Sequence, residues 1–159
     1  TTHTPGNSMI SSIPKVALVL ALFGVVPFAW GAITSISEEA FNFGMDIFGA
    51  RFVGPFIHLS YGIIILCFMS GVLWGFATKM NGKSAGQGYI LSVIPALWVF
   101  FSMGKGPISD TISLIVGFIA VLFIDRHFYL LKATPNWWMN LRIPITFLVI
   151  SLLGIGIII

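Results

Sequence analysis

No charged side chain occurs between Arg51 and Lys79. That run exceeds the roughly 20 residues needed to cross a bilayer core of about 30 Å. A second apolar run extends from Val16 to Ile33, just after Lys15. Taken with the polar breaks that follow, the pattern predicts five transmembrane helices at about residues 14–36, 52–78, 88–103, 108–124 and 143–159. Residues 1–13 are small and polar, and are expected to be a mobile tail that orders only against a partner. The Val16 run is longer than a signal-peptide core, and no small-residue cleavage site is followed by a soluble domain. The N-terminus is therefore expected to remain as helix one.

Local signals refine the spans. Pro14 sits where a missing N–H costs little. Pro27 falls inside helix one and predicts a kink near Phe23 to Pro27. Pro95 lies inside helix three. Between Ser35 and Arg51 the chain leaves the core, and Ser35 and Glu38 have capping-box spacing. There Phe41, Phe43, Met45, Ile47 and Phe48 alternate with Glu39, Asn42 and Asp46. Two readings fit this segment, a membrane-interfacial stretch and a plain connecting loop. Helix two closes at Lys79 and Lys83, and helix four is expected to stop at Asp125, Arg126 and His127.

Within helix two, Ser60, Cys67, Gly71 and Gly75 recur at helical spacing, the last two as a GxxxG step. In lipid, helix association relies on close backbone approach at small residues. This stripe is the expected packing seam, and helix two the one on which the others lean.

Composition supports the membrane reading. Hydrophobic residues make up 57% of the chain and charged residues 8%, against about 25% charged in soluble domains. The fold class is therefore all-α integral membrane. The net charge of +3 carries no nucleic-acid signal, because the basic residues are scattered at helix ends. The lone cysteine, Cys67, can form no intrachain disulfide. Five spans put the termini on opposite sides. Lys15, Lys79, Lys83, Arg126, Lys132 and Arg142 fall on one side, and Arg51 and Lys105 on the other. That bias predicts a cytoplasmic N-terminus and a periplasmic C-terminus.

Candidate chemistry is sparse. Asp46, Asp110 and Asp125 map to helix boundaries, and His58 is the one ionisable residue expected inside the membrane. Intramembrane charges usually mark proton relays and ion pathways, so a transporter or an enzyme is disfavoured. His58 is a candidate axial ligand for a tetrapyrrole, or a donor to a serine or a backbone carbonyl at a helix interface. Tyr61, Ser70, Ser92, Ser102, Thr146 and Ser151 read as interhelical hydrogen-bonding groups. Trp74, Trp137, Trp138 and Arg142 read as interface anchors.

Three stretches carry a resemblance: GVVPF at Gly24 to Phe28, YGIIILCFMSGVLWG at Tyr61 to Gly75, and ATPNWWMNLRIPIT at Ala133 to Thr146. In order and spacing they resemble a small polytopic membrane family of unknown function, found in bacteria and with a mitochondrial relative in animals, transmembrane protein sixty-nine. The chain departs from that pattern at Leu73, where a polar or basic residue is expected, and at Trp138, where tyrosine is commoner. The resemblance implies the multi-helix fold and a bacterial inner-membrane or organelle setting, and it brings no catalytic residues. The expected role is a non-enzymatic accessory or assembly subunit of a respiratory or photosynthetic membrane complex, with other integral membrane subunits and lipids as partners. The alternative is a small binder of a tetrapyrrole, quinone or lipid, with its pocket near His58 or the Trp137–Trp138 pair.

Overall fold

The computed structural model describes residues 12–158. The helices are α1 (Lys15–Ile36), α2 (Glu38–Ile47), α3 (Phe56–Ala77), α4 (Gly82–Ser102), α5 (Pro107–Leu130) and α6 (Trp138–Ile158), with a 3₁₀ turn at Ala50–Phe52 between α2 and α3. Five of them, α1 and α3 to α6, are long and apolar enough to cross a membrane. A helix of 22 residues, such as α1 or α3, is roughly 33 Å long at 1.5 Å per residue, which matches a bilayer core. These helices are apolar around most of their circumference because their outer faces meet lipid rather than water. Exposed Leu20, Phe23, Phe68, Phe100, Phe101 and Phe123 are the result. The protein is a multi-pass membrane protein.

Inside the bundle, Phe28 of α1, Leu66 of α3, Leu114 and Phe118 of α5 and Leu153 of α6 form the main core. A smaller cluster joins Leu73, Phe76 and Ala77 to Ile124 and Phe128. α3 packs against α1, α4 and α5, and α6 closes the bundle between α1 and α5. Helix two of the sequence reading is thus central, but not through the expected seam. Cys67, Gly71 and Gly75 face outward, and a Cβ added at either glycine meets nothing within 4 Å. The contacts run along the opposite face, through Gly62, Leu66, Met69, Ser70, Leu73 and Ala77. A Cβ at Gly62 would stand 2.7 Å from Leu114 Cδ1, and one at Gly31 would collide with the His58 ring. Glycine spacing along a helix does not say which face its neighbours occupy.

Other expectations shift at their edges. α4 starts at Gly82, α5 continues through Asp125 to Leu130, and α6 starts at Trp138. Charged and aromatic residues were expected to end these spans. A helix satisfies its own backbone whether or not it has left the apolar core, so such residues do not stop it. Of the expected tail, Ser12 and Ile13 are described, and Ile13 is buried; the remainder lies outside the described residues, as does Ile159.

The segment after α1 is helical rather than a plain loop. Because α1 extends to Ile36, Ser35 is still inside it and bonds back to the Gly31 carbonyl at 2.7 Å. The cap of α2 therefore falls to Ser37, whose hydroxyl accepts from the Ala40 amide at 3.2 Å, and the Ser35–Glu38 capping box does not form. Glu38 and Glu39 occupy the first turn of α2, where the helix dipole favours carboxylates. Trp30 Nε1 donates to the Phe52 carbonyl at 2.8 Å and ties the 3₁₀ turn to α1.

Two glycine substitutions separate the two faces of α3. Gly62→Val is expected to lower stability in detergent by about 1–3 kcal/mol through overpacking against Leu114. Gly71→Ala should leave thermal unfolding unchanged or raise its midpoint, because alanine is the better helix former. A Gly71→Ala protein that unfolds as early as Gly62→Val would contradict this assignment of faces.

Candidate functional site

A buried polar cluster near the Lys15 end of the bundle is built from two consecutive helices. Asp125 of α5 is fully buried. Its Oδ2 accepts from Arg142 Nε at 2.9 Å, and its Oδ1 accepts from Trp138 Nε1 at 3.0 Å. Trp138 and Arg142 are four residues apart on α6, and so share one face of that helix. The same face continues to Thr146. Arg142 lies roughly 6 Å along α6 from its first residue, and Asp125 roughly 8 Å back from the end of α5, at 1.5 Å per residue. The pair is therefore inside the bundle. Asp125 and Arg142 thus join His58 as ionisable residues enclosed by the bundle, within two turns of their helix ends.

A charge leaves water at a large free-energy cost, and an opposite charge at hydrogen-bonding distance offsets it. Here both carboxylate oxygens are occupied, while the guanidinium is only partly so. Arg142 Nη2 is buried without a hydrogen-bond partner among the described residues, and so is the Thr146 hydroxyl.

Both residues border a cleft of about 520 Å³. Its walls come from Ala17, Leu20, Ala21, Gly24 and Phe28 of α1, from Tyr61, Ile65, Phe68 and Phe76 of α3, and from Trp137, Trp138, Arg142, Ile145 and Thr146 on the opposite side. The space exists because α1 presents Ala17, Ala21 and Gly24 there, at successive helical turns. A Cβ at Gly24 would have only the Tyr61 hydroxyl nearby, at 3.6 Å. The size falls within the range of about 300–1,000 Å³ common for small-molecule sites, as does a largely apolar lining with few polar groups.

The sequence-derived candidates divide between this cleft and other places. Trp137, Trp138 and Arg142 meet at the cleft, and the two indoles lie 6.0 Å apart between ring centres. Trp74 is on the surface against Tyr89, with ring centres 4.5 Å apart. Ser60 bonds back to the Phe56 carbonyl. His58 is buried at the other end of the bundle, where Nε2 is 2.8 Å from the Phe28 carbonyl oxygen. A carbonyl only accepts, so Nε2 carries the proton. Nδ1 faces Gly156, where an added Cβ would be 3.1 Å away. The imidazole is thus enclosed between α1 and α6, with Nε2 held in an interface hydrogen bond, and it does not line the cleft.

Of the hydroxyls expected to bridge helices, Ser70 does so, accepting from the Ala96 amide at 2.9 Å. Ser92 and Ser151 bond within their own helices. Among the described residues no group of three or more His, Cys, Asp or Glu side chains is placed to hold a metal. Sequence reading put Asp125 and Arg142 at the same membrane face but missed their ion pair and the unpaired Thr146 one turn on. Its trace was an acid late in one span, and a base and a threonine four residues apart early in the next.

The ion pair makes a direct prediction. Asp125→Ala, which leaves the guanidinium buried and unpaired, is expected to cost about 3–5 kcal/mol. The double variant Asp125→Asn/Arg142→Gln should lose much less than Asp125→Asn and Arg142→Gln together. A double-mutant cycle on unfolding in detergent checks this, and additive losses would show that the pair is not coupled.

A family profile described as "Protein of unknown function (DUF3429)" matches residues 13–158. Transmembrane protein 69 of Xenopus tropicalis is 30% identical over 151 residues, covering 91% of this chain and 55% of the relative. Transmembrane protein 69 of Mus musculus is 27% identical over 138 residues, covering 84% of this chain and 51% of the relative. The chain thus spans about half the length of these relatives. No solved structure matches it. The matched stretch takes in all five membrane-length helices and both partners of the buried ion pair, and the chain belongs to the DUF3429 family of proteins.

Proposed function

We propose that this membrane protein holds an amphipathic, membrane-soluble molecule in the cleft between α1, α3 and α6, in a non-catalytic role. The observation that carries this reading is an apolar cleft lined by Arg142 and Thr146, each with a buried donor that has no partner among the described residues. Buried polar groups in folded proteins are almost always paired, and a bound molecule with an acceptor would pair these two. A tetrapyrrole is the weaker candidate, because no histidine lines the cleft among the described residues. A lipid or a quinone remains. The proposed setting is a bacterial inner membrane or its organelle counterpart, with the Lys15 end cytoplasmic. Once Arg142 is discounted as neutralised by Asp125, Lys15, Lys79, Lys83, Arg126 and Lys132 still support that orientation.

A second reading is the accessory-subunit role in a respiratory or photosynthetic complex. It is favoured by the outward stripe of Cys67, Gly71 and Gly75, which leaves α3 open to close approach by a helix of another protein.

Purification from native membranes in mild detergent, followed by organic extraction and mass spectrometry, tests the first reading. Gly24→Leu puts a side chain into the cleft without touching the ion pair. It is expected to reduce the co-extracted molecule at least tenfold while leaving thermal unfolding nearly unchanged. Equal recovery from the wild type and Gly24→Leu would overturn the cleft as the binding site. For the second reading, Gly71→Leu/Gly75→Leu should abolish co-purification of membrane subunits, and their retention would remove the stripe as the contact.

A further inference from the structure

We infer that the cleft selects a neutral, planar, carbonyl-bearing head with an apolar tail, the chemistry of a prenylated quinone. This rests on the cleft being a binding site, as proposed above. The first reason is charge. Arg142 is already neutralised by Asp125 at 2.9 Å, and no other Asp, Glu, Lys or Arg lines the cleft among the described residues. A carboxylate or phosphate there would bury one negative charge beyond those compensated, which an apolar site opposes strongly. A ketone oxygen adds no charge. Seated against Arg142 and Thr146, it would offer an acceptor to the guanidinium N–H that Asp125 leaves unused and to the Thr146 hydroxyl, the buried donors of the cleft-lining residues that have no partner among the described residues.

The second reason is shape. Phe28, Tyr61, Phe76, Trp137 and Trp138 line the same cleft as Arg142 and Thr146. Flat faces of this kind stack on a planar ring better than on a flexible headgroup. The third is the exit for a tail. Leu20 and Phe68 line the cleft and are also exposed on the lipid-facing surface of the bundle. A chain attached to the ring therefore leaves directly into the bilayer.

The test uses the full chain in phosphatidylcholine nanodiscs, titrated with decylubiquinone and read by quenching of its tryptophan fluorescence, to which Trp137 and Trp138 at the cleft contribute. Saturable quenching is expected for the wild type, with none above the bilayer background in Gly24→Leu. Thr146→Val removes one donor at nearly constant shape and leaves Asp125 and Arg142 paired. It should weaken binding about five- to tenfold, the loss of one hydrogen bond. Oleate and phosphatidylglycerol, which carry the anionic alternatives, should not compete. If either competes, or if Thr146→Val binds as tightly as the wild type while Gly24→Leu does not bind, the neutral-carbonyl assignment fails and the cleft stands. If decylubiquinone quenches the wild type and Gly24→Leu alike, the cleft itself is not the site.

Discussion

A carboxylate and a guanidinium enclosed among apolar side chains are tolerable only together, and that constraint fixes the Lys15 end of this bundle. Asp125 and Arg142 lie on consecutive helices joined by a short polar connection. Their pairing sets the rotation of α6 about its axis, because Arg142 must face α5. Trp138, one turn earlier, is brought to the other carboxylate oxygen. Thr146, one turn later, is carried to the cleft wall without a partner among the described residues. One electrostatic requirement thus orients the face on which the candidate site is built.

The remainder of the bundle follows from lipid as the outer solvent. Apolar area distinguishes inside from outside poorly when the surroundings are themselves apolar, so close approach and polar contacts do more of the sorting. Gly31 and Gly62 sit where a side chain would meet His58 or Leu114. The Ser70 hydroxyl and the Ala96 amide join α3 to α4, and the Trp98 indole donates to the Ser113 carbonyl between α4 and α5. At the opposite end, His58 ties α3 to the Phe28 carbonyl of α1. Where small residues line the gap between helices, as at Ala17, Ala21 and Gly24, the same geometry leaves space instead of close contact. The cleft is the consequence.

That arrangement separates the family relationship from the functional reading. The match to the DUF3429 profile covers almost all the described chain, while the animal relatives extend well beyond it. The family relationship brings the membrane fold. The proposed ligand rests on two donors without partners and on the aromatic, uncharged walls beside them.

The sequence by itself determined the all-helical membrane class, the five spans, the central place of the helix containing Tyr61 to Gly75, and the grouping of Trp137, Trp138 and Arg142 near one helix end. Long uncharged runs make those features legible, since crossing a bilayer needs a length and a composition and little else. The tertiary structure decided which helix faces meet. It turned Gly71 and Gly75 outward, enclosed His58, drew Asp125 inward to Arg142, and opened the cleft beside α1. In a helix that is apolar all round, periodicity barely distinguishes the lipid-facing side from the packed side. Rotational setting therefore had to come from pairwise contacts, above all the one between Asp125 and Arg142, which only the folded chain brings together.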